Sequence, residues 1–267
     1  MKTTAASPAI VTVEIDDRIA YVTMRRPEKR NALSFEMMEQ LVRSFRDVGR
    51  NDGVAVAVLA GEGPAFSSGH DLAELRNRDI DFYRREFDLC TALMETIQGI
   101  RQPVIAQVHA PATAAGCQLV ASCDLAIAAE EAWFAMSGVK IGLFCTTPMV
   151  ALTRAIGRKK AMELLLTGEP MNARDALAAG LLNHVVPAAK LGEAVRSLAR
   201  QIMNASDYVI ALGKDAFYRQ IDLPQAQAYD FAEETMAINA KSPDAREGIT
   251  AFLEKRAPDW RRDGKDG

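Results

Sequence analysis

Two short stretches bring small residues, polar groups and a helix start together: SSGHD at 67–71 and TAAGC at 113–117. Helix starts leave backbone N–H groups without intrahelical acceptors, so two such turns placed side by side could hold a developing negative oxygen. Ordinary strand-to-helix turns share the pattern, and spacing alone does not choose between the two. The first long polar side chain after the second turn is Gln118. An amide can hydrogen-bond a water, but it cannot take the proton of that water.

Nucleophilic chemistry has fewer candidates. Ser67, Ser68, His70 and Asp71 include the residue types of a hydrolase triad, yet near-neighbours in sequence cannot converge in that geometry. Cys145, just ahead of TTPM, is a candidate thiol at a helix start, with a small packed cysteine as the alternative. The four cysteines (Cys90, Cys117, Cys123, Cys145) form no CxxC pair, and His70, His109 and His184 lie far apart. The expectation is reduced thiols and no metal. Met136, Met149 and Met162 read as flexible core fillers.

These groups need a frame to position them. Residues 9–15 and 18–24 are β-rich runs separated by Asp16-Asp17, a hairpin pattern. Ser34 is an N-cap candidate for a helix whose apolar residues Phe35, Met38, Leu41, Val42, Phe45 and Val48 recur at helical spacing up to Gly49. VAVAVLAG (54–61) is the continuous apolar run of a parallel strand covered on both faces. A loop leading into a helix follows, then a helix over about 80–100, a strand at 103–110, the second turn with a helix from Ala115 or Gly116, and the strand DLAIAAE. Strand, turn and helix alternate, so the core is an α/β layered one. From about residue 146 the chain reads as mostly helical, with RKK at 158–160 a solvated helix start. The reading divides it into an α/β core over 1–204 and a helical appendage over 205–267, with a frayed RRDGKDG end.

Composition bounds the function. The chain has 267 residues, 49% hydrophobic and 25% charged, which suits a globular protein with a sizeable core. Net charge is −3 with Lys and Arg scattered, giving no support to nucleic-acid or membrane-surface binding. No basic, apolar leader opens the sequence and no 18 apolar residues run uninterrupted, so the default expectation is a cytosolic location.

Taken in order, RPEKRNAL, FSSGHDLAEL, PVIAQVHAPATAAGCQLVASCDLAIAAEEAWFA, ALTRAIGRKKAMELLLTGEPMNARDALAAGLLNHVVP and EGITAFLEKRAPDW resemble the enoyl-CoA hydratase/isomerase (crotonase) superfamily along nearly the whole chain. SSGHDL and ATAAGCQLVASCD look closest to its enoyl-CoA hydratase domain-containing subgroup. The resemblance implies a crotonase-like spiral of ββα units with a helical C-terminal appendage used for oligomerisation, assembled as a homotrimer or a dimer of trimers. It implies a coenzyme A thioester as substrate or ligand, with no tightly bound cofactor. By motif match, the backbone N–H groups of His70 and Ala115 would form the oxyanion hole for the thioester enolate. Backbone near Ala32, Asp71 and Leu72 would surround the adenine, Lys29 or Arg30 would lie near phosphates, and Phe252 and Lys255 would reach a CoA bound to a neighbouring subunit.

The departure from the family is the informative part. Hydratases of this family carry two glutamates that hold and activate the water, and by motif match their places are taken by Gln118 and Gly138. Each lost acid or base costs about 10²- to 10⁴-fold, so standard hydratase activity is expected to be weak or absent. A branch that borrows bicarbonate, the dihydroxynaphthoyl-CoA synthases, resembles SGVKIG but carries aspartate where Cys145 falls. Glu74, Glu86 or Asp88, on the helices after SSGHDL, could reach the cleft instead. Three readings follow: an acyl-CoA-processing enzyme with an unusual or borrowed base, a noncatalytic acyl-CoA-binding or regulatory protein, and a thioester hydrolase using Cys145 or a serine.

Overall fold

Residues 11–16 and 19–24 pair antiparallel as β1 (Val11–Asp16) and β2 (Ile19–Met24), in the register Val13↔Val22 and Asp16↔Ile19, in a computed structural model that describes residues 9–260. The frayed end expected at 261–267 lies outside the described residues. The turn is Asp17-Arg18, one residue later than the expected break, and both residues have positive φ, 50° and 62°. That is the turn sense that matches the twist of paired strands. Ser34 caps α1 (Phe35–Arg50) by accepting the Met37 N–H at 3.2 Å, and its apolar stripe is buried. The continuous apolar run forms β3 (Val56–Gly61), parallel to β2.

The loop after β3 carries the first small-residue turn into a single helical turn, α2 (Leu72–Leu75), before the long α3 (Ile80–Gly99). Then come β4 (Val104–Val108), β5 (Ala112–Thr113), α4 (Ala115–Ser122), β6 (Leu125–Ala129) and β7 (Trp133–Ala135). The later chain contains α5 (Pro148–Ala155), α6 (Arg158–Thr167), β8 (Met171–Asn172), α7 (Ala173–Ala179), β9 (His184–Val186) and α8 (Leu191–Met203). It ends in α9 (Asp207–Gln220), α10 (Gln225–Lys241) and α11 (Pro243–Leu253).

A six-stranded sheet, ordered β1-β2-β3-β4-β6-β9, is parallel from β2 onward. One face is covered by α1, α3 and α4, whose Phe45, Leu93 and Leu119 join the main core; α8 covers the other with Leu191, Val195 and Ala199. A second sheet, β5-β7-β8, stands at the end of the first. Its strands and β9 are two or three residues long, so pairing rather than local propensity makes them strands, and the chain after 146 is mostly helical as expected, with β8 and β9 the two short strands the reading did not name. Met136 is fully buried as expected and Met149 packs on the core, but Met162 is 51% exposed: it lies on the outer face of α6. Among the described residues, no helix is long and apolar enough to cross a membrane, and no group of three or more His, Cys, Asp or Glu could hold a metal ion.

One buried polar knot ties α9 to the sheet. Lys214 Nζ donates to Asp124 Oδ2 at 2.7 Å and to the carbonyls of Ile97 and Gln102, while Tyr218 Oη donates to Asp124 Oδ1 at 2.8 Å. Burial lowers the Lys214 ammonium and the Asp124 charge opposes that shift; burial and the same carboxylate raise the Tyr218 phenol. The Lys214 side chain is 7% exposed and that of Asp124 15%, so removing either partner strands a charge in low dielectric. Lys214→Met should therefore lower unfolding free energy by about 3–5 kcal/mol in chemical denaturation. A loss below about 1 kcal/mol would show that the pair behaves as a solvated surface contact.

Candidate active site

The two small-residue turns are clamped together by backbone. Ser67 and Ala112 form a parallel bridge, Thr113 N–H donates to Ser67 O at 3.0 Å, and Thr113 Oγ1 donates to Ser68 O at 3.1 Å. The approach is so close that a methyl group at position 116 would sit 2.2 Å from the Ser67 carbonyl oxygen, which only glycine avoids. Ala114, just ahead of α4, adopts φ 49°, ψ −119°, an unfavourable conformation for a residue with a Cβ, held by its N–H to Ala135 O at 2.8 Å.

This clamp leaves two amides free. Leu33 pairs with the flanks of His70, donating to Gly69 O at 2.8 Å and accepting from Asp71 N–H at 3.2 Å, so the N–H of His70 itself is turned away from Leu33. The Ala115 N–H opens α4, where no preceding turn supplies an acceptor. Among the described residues, neither N–H donates to a backbone carbonyl. Both residues line a cleft of about 320 Å³, whose walls include Phe87, Leu143, Phe144 and Pro148. The wall is therefore largely apolar, with a few convergent polar groups.

Of the residues expected near CoA, Lys29, Ala32, Asp71 and Leu72 line this cleft. Lys29 is exposed and makes no ion pair among the described residues, as a phosphate ligand would need to be. Asp71 is committed to structure: Oδ1 caps α2 by accepting Ala73 N–H, and Oδ2 accepts from Arg26 at 3.3 Å. Arg30 lies outside the cleft wall, exposed at φ 52°, with its carbonyl accepting Ser68 N–H. Phe252, 82% exposed, and Lys255 stand at the end of α11, and the fold of one chain does not bring them to the cleft.

Gly138 lines the cleft and Gln118 does not. A Cβ at 138 would meet Leu143 O at 2.1 Å and Cys145 Sγ at 2.9 Å, because the chain folds back and Leu143 N–H donates to Gly138 O at 3.0 Å. The position has no room for a side chain. Gln118 is buried behind the wall, its Oε1 accepting a weak bond from Cys90 Sγ at 3.8 Å. Cys145 is also buried, and burial raises its thiol, partly offset by the Gly138 N–H; that is the reverse of an activated nucleophile. Ser67 Oγ is occupied in donating to Asn31 O at 2.9 Å.

Of the three carboxylates on the following helices, Asp88 is exposed and Glu74 accepts the Phe35 N–H, whereas Glu86 is fully buried. Its Oε1 lies 3.1 Å from His70 Nδ1. Helical spacing puts Glu86, Phe87 and Cys90 on the inward side of α3, but which carboxylate faces the cleft depends on the helix's rotation about its axis, which no single stretch of sequence specifies.

A cleft with two unpaired amides at the junction of a spiral α/β core is the arrangement the comparisons then identify. The sequence pattern described as Enoyl-CoA hydratase/isomerase matches residues 14–263, and the chain belongs to that family, with its crotonase-like fold. It is 45% identical over 245 residues to Enoyl-CoA hydratase domain-containing protein 3, mitochondrial, of Homo sapiens, covering 91% of this chain and 81% of that protein. The crystal structure of enoyl-CoA hydratase from Mycobacterium smegmatis superimposes with a TM-score of 0.93 at 44% identity, covering 95% of this chain and 100% of that one. The crystal structure of the human domain-containing protein 3 gives 0.91 at 44%, covering 94% and 100%. The subgroup resemblance of the two turn sequences thus holds.

The expectation of a cytosolic location is overturned: the relatives from Homo sapiens, Rattus norvegicus and Mus musculus are all named as mitochondrial. That expectation rested on the lack of an apolar leader, and neither the fold nor the cleft encodes a compartment.

The clamp itself is testable. Gly116→Ala should separate the turns, lower unfolding free energy by about 1–3 kcal/mol and weaken acyl-CoA binding at least about tenfold by calorimetry. Unchanged binding with full stability would show that the Ser67 carbonyl yields freely.

Proposed function

We propose that this protein binds an acyl-CoA or enoyl-CoA thioester in the cleft between the two turns and stabilises its enolate through the N–H groups of His70 and Ala115. The observation that carries this reading is the pair of unpaired amides on one apolar wall. Fixed donors aimed where charge develops need no reorganisation during reaction, and each is worth about 10²- to 10³-fold. Lys29 and Leu72, at the exposed mouth, are the proposed contacts for the CoA phosphates and adenine.

Water activation in the standard way has no support in the cleft. Glutamine at 118 cannot accept a proton and lies behind the wall, and at 138 the Leu143 carbonyl occupies the space of a side chain. The reading is therefore a thioester-binding member of the hydratase/isomerase class with weak or absent hydratase activity.

The assembly belongs to the same reading. Within one chain α9 and α10 bury no residue fully, and Met236, Phe252 and Leu253 are 70%, 82% and 73% exposed. Apolar helices left this bare fit a homotrimer or dimer of trimers in which the 205–267 helices pack on a neighbour and deliver Phe252 and Lys255 to its CoA. Light scattering should give three or six times the mass of the chain, and a monomer would overturn the arrangement.

Purified protein should bind butyryl-CoA by calorimetry yet hydrate crotonyl-CoA at least about 10²-fold more slowly than a family member with both glutamates, followed by loss of the conjugated thioester absorbance. The variant Gln118→Glu with Gly138→Glu should gain no hydration, because the second carboxylate has no place to stand. Hydration by the wild type at an ordinary enzymatic rate, or its restoration in that variant, would overturn this account.

A further inference from the structure

The cleft is built to hold an enolate, yet among the described residues it presents no side chain free to make one by taking a proton. Four of its lining residues carry titratable groups: Lys29, His70, Asp71 and Cys145. Lys29 stands exposed at the mouth, away from the two amides' turns. His70 Nδ1 lies 3.1 Å from Glu86 Oε1 and Nε2 is sealed from solvent, so neither ring nitrogen meets a molecule in the cleft. Asp71 is committed to the Ala73 N–H through Oδ1 and to Arg26 through Oδ2. Burial raises the Cys145 thiol, which therefore keeps its proton.

What the cleft does present is a set of unused hydroxyls. Ser68, Ser137, Thr146 and Thr147 line it, and among the described residues none of their side chains makes a hydrogen bond, whereas those of Ser67 and Thr113 are both taken up. Ser137 precedes Gly138 and Thr146 follows Cys145, and a Cβ at 138 would meet Cys145 Sγ at 2.9 Å, so these hydroxyl residues flank one point of the wall. Phe87, Leu143, Phe144 and Pro148 make the rest of that wall largely apolar. Neutral donors in such a setting orient a carboxylate without neutralising it, and a poorly solvated carboxylate is destabilised relative to a neutral product. With Asp71 held by its own partners, no free carboxylate on the wall opposes a second anion.

We propose that the cleft decarboxylates a 2-carboxyacyl-CoA, a malonyl-type thioester, because loss of CO₂ forms the enolate without a base. The bond between the α-carbon and the carboxylate carbon breaks, and its electron pair becomes the C=C bond of the enolate. The carbonyl π pair moves to oxygen, where the His70 and Ala115 N–H groups hold it. CO₂ leaves as a neutral molecule, which removes the poorly solvated charge. Water then protonates the α-carbon as the enolate collapses, and the hydroxide left behind combines with CO₂ to give bicarbonate. Water is the only co-reactant. Ser137, Thr146 and Thr147 bind the carboxylate and hold the breaking bond upright to the thioester plane, where its pair overlaps the carbonyl π system. The reaction rests on the thioester reading above, and the experiment separates the two.

The test measures binding and carbon–carbon cleavage independently. Butyryl-CoA binding is read by calorimetry, and conversion of methylmalonyl-CoA to propionyl-CoA and of malonyl-CoA to acetyl-CoA by chromatography. Wild type should bind butyryl-CoA and decarboxylate at least one of the two carboxylated thioesters about 10²-fold or more above the uncatalysed rate. It should not exchange the α-protons of bound butyryl-CoA in D₂O, read by NMR, because no base meets them. Thr146→Asp, at an exposed position, should keep butyryl-CoA binding within about threefold while kcat/KM for the carboxylated thioester falls at least about tenfold by like-charge repulsion. Thr146→Ser, which keeps the hydroxyl, should stay within about threefold of wild type for both. Butyryl-CoA binding without decarboxylation of either thioester overturns the proposal and leaves the thioester reading standing. Exchange of the butyryl-CoA protons, or an equal effect of Thr146→Asp on both ligand classes, also overturns it. Failure of the wild type to bind any of the three overturns both. Should Thr146→Asp not fold, wild-type turnover and exchange still decide.

Discussion

The contact on which the site depends is the approach of the α4 start to the Ser67 carbonyl, a distance that a single methyl group would close to 2.2 Å. Everything at the cleft follows from that contact. It lets the Ser67-Ala112 bridge form, fixes Ala114 in its unfavourable conformation and sets the Ala115 N–H beside the His70 turn. The two amides are free because the clamp uses their neighbours: Leu33 pairs with Gly69 and Asp71, and Ala114 with Ala135. A site made from backbone is indifferent to most side-chain changes but intolerant of any added bulk where the backbones touch.

That asymmetry explains how such a cleft can keep one half of its chemistry while the other half changes. Oxyanion donors are peptide groups held by the fold, whereas acids and bases are side chains that a substitution removes. At Gly138, Leu143 O stands where a Cβ would project, beside the buried Cys145. At Gln118 the amide oxygen faces the Cys90 thiol rather than the cleft.

Much of the frame was legible in the sequence. Ser34 as a cap, the 3.6-residue stripe of α1, the apolar run of β3 and the helix starting at Ala115 are all local signals, and the structure shows each of them. What escaped is non-local. Strands β7, β8 and β9 exist through their partners, and Met162 is exposed because α6 has its other face on the core. The site divides the same way. The two turns announced themselves by their small residues, but the reason position 138 is glycine lies in the carbonyl of Leu143, five residues on and folded back. That Glu86 is buried and Asp88 exposed lay in the rotation of α3, Glu74 on α2 is taken up by the Phe35 N–H, and Arg30 dropped out because a left-handed backbone at φ 52° turns its carbonyl to Ser68 and leaves its side chain in solvent.

The electrostatic balance of the cleft follows from these placements. Its two proposed donors, the N–H groups of His70 and Ala115, would carry partial positive charge into a largely apolar volume, where they are poorly screened and favour an anion. A carboxylate lying directly on the wall would oppose that field in the resting state and would itself be drawn to the donors. Asp71, the carboxylate on the wall, is held instead by the Ala73 N–H and Arg26, and the buried Glu86 is set back with its Oε1 3.1 Å from His70 Nδ1.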